Sequence, residues 1–463
     1  MNLDPDAPFP TLTDLARAYR SGEVTPSRVV GAHLDRLNRL DRHLGAWQAV
    51  YSEDAMRLAE AADRMFEAGI DLGPFQGIPF ALKDICDVKG RVTTGGSKAM
   101  ENRISPETGT LTKRLFAAGG IMLGKTKTVE CAFGGWGTNL HMGTPRNPWD
   151  RETHRVPGGS SSGTGVAVAA GMAVCGVGTD TGGSVRLPAA YCGITGLKVT
   201  EGRLPIDGIL PLSHSLDTPG PLARSVADAR VMFAAMDGSP DDGITGNREI
   251  AGLRLGVPDD VELEVCTAEI RAAFSAALET LRGLGAVLVP FKTPRSLADL
   301  TAECGRFIVA EAYAHHHALY DRADLPLDPG GRMRMLVGRG ISAVDYVSMQ
   351  STRRAGMAKF LTLMSELDAI VTPTTRETAP PVTEIDEADA PSVFTRFANW
   401  FGLCALSLPS GVAADGLPTS LQIVGRPHDE AMVMRIGAAY EAERGPFPAP
   451  DISAGTHGGT DGR

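Results

Sequence analysis

The sequence predicts an α/β fold, a sheet with helices on both of its faces. Three observations carry this. From Phe75 onward, short apolar runs alternate with helical stretches. A helix of small residues, Thr164 to Gly171, can pack close to a sheet and is followed by the strand-like run AVCGVGTD. The alternation resumes after Pro221, where SVADARVMFAAMDG, LRLGVP, CTAEIRAAFSAALETLRGLG and AVLVPF read as helix, strand, helix, strand.

Taken in order, the first seventy residues read as helices. Thr13 is placed to cap LARAYR, with Gly22 beyond its end, and Thr25-Pro26 opens SRVVGAHLDRLNRL as cap and first-turn proline. Ser52 is placed to cap EDAMRLAEAADRMFEAG, with Glu53 and Asp54 in the favourable first turn. GIPFALKD is then a buried strand whose end meets a site, Pro106 to Ala118 a helix, and GGIMLGK a second strand. Residues 296–365 are mainly helical, and AIVTPT is a strand. CALSLPS and SLQIVGR pair across the turn DGLP, before a last helix, DEAMVMRIGAAYEAE. No linker divides the chain and no repeat at solenoid period is present. From Pro446 the composition predicts a loose tail over 446–463.

Bulk properties narrow the function. The 463 residues are 43% apolar and 22% charged, a globular composition, and the net charge of −10 argues against a nucleic-acid or anionic-membrane partner. Seven cysteines without a CxxC pair read as reduced thiols in a cytoplasmic protein. The N-terminus, MNLDPDAPFP, is no signal peptide, and the longest nearly apolar run, Val166 to Gly178, is too short to cross a bilayer.

The chemistry-bearing stretch is Pro157 to Thr200, with two Gly-Gly-Ser turns, Gly158-Gly159-Ser160 and Gly182-Gly183-Ser184, and a Thr179-Asp180 pair before the second. Gly119 to Thr126 matches a phosphate-loop pattern, but a helix precedes it and its "loop" is strand-like, so nucleotide binding is rejected. His315-His316-His317 cannot all face one ion from a helix, so a solvated helix face is preferred to a metal site. Ser184 is not in a GxSxG elbow, which lowers a Ser-His-Asp reading without removing it. Lys83 ends an apolar run. Brought into a buried site, its amine would lose its charge and could take a proton from a serine; a surface lysine just past a strand end is the competing reading.

With Lys83, GGSSSG and GTDTGGSVRLPAAYCGITGLK in hand, the chain resembles the amidase signature family from about Thr11 to Glu443, most densely from Gly77 to Pro221. GIPFALKD, LGKT, NPWD, LDTPGPLARSVADA and GLPTSLQIVGRPHDE fit as well. The resemblance implies a mixed, mostly parallel central sheet in one domain over 1–445. Within it lie N-terminal helices at 1–70, a catalytic core at 75–230 and a helical specificity region at 296–365. It also implies a Ser–cis-Ser–Lys triad: Ser184 as nucleophile, Ser160 after a cis peptide as bridge, and Lys83 as base. The oxyanion would lie against the N–H groups of Thr181, Gly182, Gly183 and Ser184. No metal or organic cofactor is expected. Ser162, where many members have glycine, and Val199, where many have proline, are departures outside the triad.

Within the family, the segment from Cys131 to Gly143 and the GGSVRLPA turn depart from the glutaminase component of the tRNA-dependent amidotransferase, and Gly208 to Asp217 is nearer the stand-alone amidases. The expectation is a self-sufficient amidase for small carboxamides, aryl or aryl-alkyl among them. Glutaminase activity in an amidotransferase, or hydrolysis of a hydrazide or ester, stand as alternatives. The expected partner is a small-molecule amide, with a homodimer left open. Ala132, Phe133 and Trp136 are placed at the acyl pocket, with packing an equal reading for the two aromatics. Phe307, Tyr313 and Tyr320 are candidates to shape specificity.

Overall fold

A computed structural model describes residues 1, 3, 9–239, 249–293 and 295–452. Among these, eleven strands form one sheet. In chain order they are β1 (Trp47–Val50), β2 (Pro79–Lys83), β3 (Ile121–Thr126), β4 (Cys175–Asp180), β5 (Thr195–Lys198), β6 (Thr218–Ala223), β7 (Arg254–Pro258), β8 (Val287–Phe291), β9 (Ala369–Pro373), β10 (Cys404–Val412) and β11 (Pro418–Gly425). Their order across the sheet is β1-β3-β2-β4-β6-β5-β10-β11-β9-β7-β8.

The α/β class and the mixed sheet are as expected, but the expectation of mostly parallel pairing is corrected. Four pairings are parallel, β2 with β3 and β4, and β7 with β8 and β9. Six are antiparallel. The reason is β6, which turns back between β4 and β5, together with the β10–β11 hairpin and the short β1. Strands β1, β5 and β6 are not evident in the sequence. β6, TPGPLA, carries two prolines and a glycine, a composition that argues against a strand inside a sheet.

Parallel pairing of β2 with β4 sets Phe80 beside Cys175 and Leu82 beside Val177, so the C-terminal ends of both strands reach the same edge of the sheet. Side chains alternate across a strand. Phe80 and Leu82 join one core cluster and Ala81 the cluster on the opposite face. Lys83 therefore falls on the face of Ala81, the one covered by the helix Ser162–Ala169. That helix lies close because β4 lacks side chains where it approaches. A Cβ on Gly176 would meet Thr164 Cγ2 at 2.5 Å, and one on Gly178 would meet Ser161 Oγ at 2.8 Å.

Local details differ from the sequence reading at several ends. Thr11, not Thr13, caps the first helix, accepting from Asp14 N–H, while Thr13 bonds to Asp228. Ser52 is the first residue of its helix and gives no side-chain cap, since β1 runs directly into it. The helix expected from Pro106 begins at Thr110. The segment matching a phosphate loop is strand β3, whose Lys125 is buried against Asp84 (3.3 Å) and the Cys86 carbonyl (2.6 Å). Where a loose tail was expected from Pro446, Phe447 packs on Trp149 and Ile452 on the core cluster under the sheet. The rest of that stretch, residues 453–463, lies outside the described residues. Among the described residues no helix is long and apolar enough to cross a membrane.

Candidate active site

Three lysines are fully buried, and their partners separate them. Lys125 pairs with Asp84. Lys198 donates to the carbonyls of Val199 and Leu403, both at 2.8 Å. Lys125 also donates to Thr93 Oγ1 at 3.0 Å, whereas the hydrogen-bond partners of Lys83 are hydroxyls without a carboxylate or carbonyl: its Nζ lies 2.7 Å from Ser160 Oγ and 2.8 Å from Thr179 Oγ1. Burial pushes the Lys83 ammonium down to about 7, against the pull of Cys86, Asp217 and Asp180. Near neutrality its amine is therefore partly free to accept a proton.

Ser160 enters this contact through a fixed backbone. The Gly159–Ser160 peptide is cis. The Ser160 carbonyl accepts from Thr128 Oγ1 at 2.8 Å, and Gly159 N–H donates to the Gly135 carbonyl at 2.7 Å. Ser184 sits in the turn between β4 and the helix Arg186–Cys192 and is 8% exposed. Ser161 ties the two turns together, donating to the Ser184 carbonyl at 2.6 Å while its oxygen accepts from Thr179 N–H at 3.2 Å.

Asp180 holds the Ser184 turn in shape. It accepts from Gly183 N–H at 2.8 Å and Val185 N–H at 3.2 Å. Arg186 grips it with Nε at 3.0 Å and Nη2 at 2.9 Å, and Asn399 Nδ2 adds a bond at 2.8 Å. Both charged side chains are sealed from solvent. Burial alone would raise the Asp180 carboxyl, but the charge and hydrogen bonds of Arg186, with Lys198 and Asn399, hold it well below the usual carboxylate range. In the sequence Asp180 stands out only as part of a polar pair with Thr179. The signal was a carboxylate and an arginine six residues apart in an otherwise small and apolar stretch.

A cavity of about 550 Å³ opens beside this turn, and Thr181, Gly182 and Ser184 form part of its wall. Gly183 does not, and its N–H donates to Asp180. Of the four residues expected to receive an oxyanion, three thus face the cavity. Thr181 is braced from behind by Asp217, which also accepts from Leu212 and Ser213 N–H at 2.8 and 3.1 Å. Burial pushes the Asp217 carboxyl up to about 6 against those bonds.

Ala132, Phe133 and Trp136 all line the cavity. The packing reading holds for Trp136 as well, since its Nε1 donates to the Asp389 carbonyl at 2.6 Å and its ring stacks on Tyr191. Phe307, Tyr313 and Tyr320 do not line it. Phe307 is buried between Tyr346 and Trp400, Tyr320 donates to Glu130, and Tyr313 donates to Asp321. Their helix, Leu297–Tyr320, turns a different stripe to the cavity: Thr301, Ala302, Gly305, Ile308 and Val309. The spacing of three and four residues marks that stripe as one helix face. Of the triple histidine, His315 and His317 are exposed as expected, while His316 is buried with Nε2 2.6 Å from the Pro211 carbonyl.

A buried lysine beside two serine turns at the edge of an α/β sheet suits a hydrolase of carbon–nitrogen amide bonds, and comparison with known proteins gives that class. The chain belongs to the amidase signature family: the family model described as Amidase matches residues 28–434. It is 36% identical over 457 residues to 2-amino-5-chloromuconic acid deaminase of Comamonas testosteroni, covering 96% of this chain and 98% of that one. It is 34% identical over 479 residues to the A component of the glutamyl-tRNA(Gln) amidotransferase of Geobacter metallireducens, covering 93% and 96%. A crystal structure of an amidase superposes with a TM-score of 0.87 at 30% identity, covering 94% of this chain and all of that one.

Proposed function

We propose that this enzyme hydrolyses a small carboxamide to a carboxylate and ammonia or an amine, through an acyl-enzyme on Ser184 and with no second protein required. The observation that carries the reading is the 2.7 Å contact between the buried Lys83 amine and Ser160. Neutral Lys83 accepts the Ser160 proton as Ser160 takes that of Ser184, and Ser184 Oγ attacks the amide carbonyl. The oxyanion meets N–H groups from Thr181, Gly182 and Ser184; a donor of this kind is worth about 3 kcal/mol in other enzymes. The proton held by Lys83 returns through Ser160 to the departing nitrogen. A water molecule then gives its proton to the same relay and cleaves the ester, restoring Ser184. The residues at 132–136 supply the apolar part of the acyl site. The free, buried cysteines fit action in the cytoplasm.

The test is a panel of amides, hydrazides and esters, with release of ammonia, amine, hydrazine or alcohol measured on the purified chain alone. Turnover of simple amides supports the reading. The second reading, the glutaminase component of a tRNA-dependent amidotransferase, is favoured by the 34% identity to such a component across 93% of this chain. It requires ammonia release from glutamine, raised by a second protein, and little from other amides.

A further inference from the structure

Three arginines contribute to the cavity wall, and they differ in what neutralises them. Arg334 pairs with Glu387 at 3.0 Å. Arg376 pairs with Glu377 at 3.0 Å and with Asp389 at 2.5 Å. Among the described residues no carboxylate lies within ion-pair distance of Arg396. Its Nη1 donates to the Thr301 carbonyl at 3.0 Å, its Nε is sealed from solvent and makes no hydrogen bond, and Nη2 has no protein acceptor among the described residues.

Its place is built by two missing side chains. A Cβ on Gly305 would lie 2.7 Å from Arg396 Nη1, and one on Gly182 would lie 3.4 Å from Nε. The guanidinium is thus slotted between the helix Leu297–Tyr320 and the strand of backbone that leads to Ser184. A guanidinium stays charged in such a place, and a partly buried charge without a counter-ion is costly. Burial works against its protonation, with only Cys304 and Asp389 opposing that through space. An anion entering the cavity would relieve this cost and gain charge-assisted hydrogen bonds.

We propose that Arg396 is a specificity-determining residue that pairs with a carboxylate on the acyl portion of the substrate, remote from the amide that is cleaved. The natural substrate is then a monoamide of a dicarboxylic acid or a close relative. This rests on the assignment of Ser184 as the amide-cleaving nucleophile. Two neutralised arginines in the same wall leave Arg396 as the group with charge to offer. Its place beside the position a Gly182 side chain would take sets the acyl chain running from Ser184 along that wall.

The experiment compares kcat/KM for succinamate, glutaramate and adipamate with kcat/KM for butyramide, pentanamide and hexanamide. At the best chain length the acid should be preferred by roughly ten- to hundredfold, as a charge-assisted hydrogen bond to an ion implies. In Arg396→Leu that ratio should fall to about one or below, and Arg396→Lys should recover part of it. A wild-type ratio at or below one, or a ratio unchanged in Arg396→Leu, overturns the proposal. So does an equal fall for acids and neutral amides, which would make Arg396 a stabiliser of the oxyanion. If Arg396→Leu does not fold, Arg396→Lys and calorimetry decide. Succinate, glutarate and adipate are titrated into Ser184→Ala protein and into Ser184→Ala/Arg396→Lys. Binding at least about tenfold weaker in the second supports the anion site, and equal binding, or none in either, overturns it. If no amide in either series is cleaved while dicarboxylate binding depends on Arg396, the amidase reading fails and the anion site stands.

Discussion

The Ser161 hydroxyl donates to the carbonyl of Ser184 at 2.6 Å, tying the turn that carries Ser160 to the turn that carries Ser184. The same oxygen accepts from Thr179 N–H, whose own hydroxyl contacts Lys83. Ser161→Ala should fold but lose kcat through slack in the relay, by roughly ten- to hundredfold, since misplacement of reacting groups by about 1 Å costs that much. Steady-state kinetics checks it, and unchanged kcat would remove Ser161 from the positioning role.

Removing the relay itself should be harsher. Ser184→Ala, Ser160→Ala and Lys83→Ala are each expected to abolish amide hydrolysis with the circular-dichroism spectrum intact. Full activity in folded Lys83→Ala protein would sink the lysine-base assignment.

The Lys83 amine gives a pH signature. With its ammonium pushed down to about 7 by burial, kcat/KM should rise as pH rises through about 7 and level off above it. The same shift couples to stability. Between about 7 and the ordinary 10.5, the unfolded lysine binds a proton that the folded one does not, so stability gains from this group as pH rises through that window. A pH–rate profile flat from 6 to 8 would contradict it.

Asp180 and Arg186 form a sealed pair, and removal of one partner strands the other. Asp180→Ala should cost about 3–5 kcal/mol, read as a fall in the midpoint of chemical denaturation. The wild-type pair adds stability above the ordinary carboxyl value of 3.8 that is lost as pH falls through the depressed folded value.

Ser162 offers the opposite sign. Its hydroxyl is buried without a hydrogen-bond partner among the described residues, at the first position of a helix. Ser162→Ala removes that orphan and improves helix propensity, so it should stabilise the fold by about 1 kcal/mol, with a higher denaturation midpoint as the measure.

What the sequence made legible follows from where information is local. GIPFALKD and AVCGVGTD are continuous apolar runs, and both are strands whose ends form the site. The two Gly-Gly-Ser turns are equally local. β6 was hidden because its place between β4 and β5 overrides the poor strand propensity of TPGPLA. Phe307 and Tyr320 attract a specificity reading because they are large and aromatic, but the direction a side chain takes from its helix is set by what packs behind it. The stripe through Thr301, Gly305 and Ile308 was available at helical spacing, without chemistry to draw notice. Arg396 stands between Thr395 and Phe397, and only the cavity shows that no carboxylate among the described residues answers it.

The partners of Lys83 lie 77 and 96 residues away along the chain, and both contacts depend on β4 lying beside β2. β4 is flanked on its other side by β6, which ends only at Ala223. Contacts so remote in sequence form late, after the entropy of closing long loops has been met. A nascent chain would therefore remain catalytically inert at least until Thr218–Ala223 had left the ribosome to secure the far side of β4, and the Asp180 turn would gain its Asn399 contact later still.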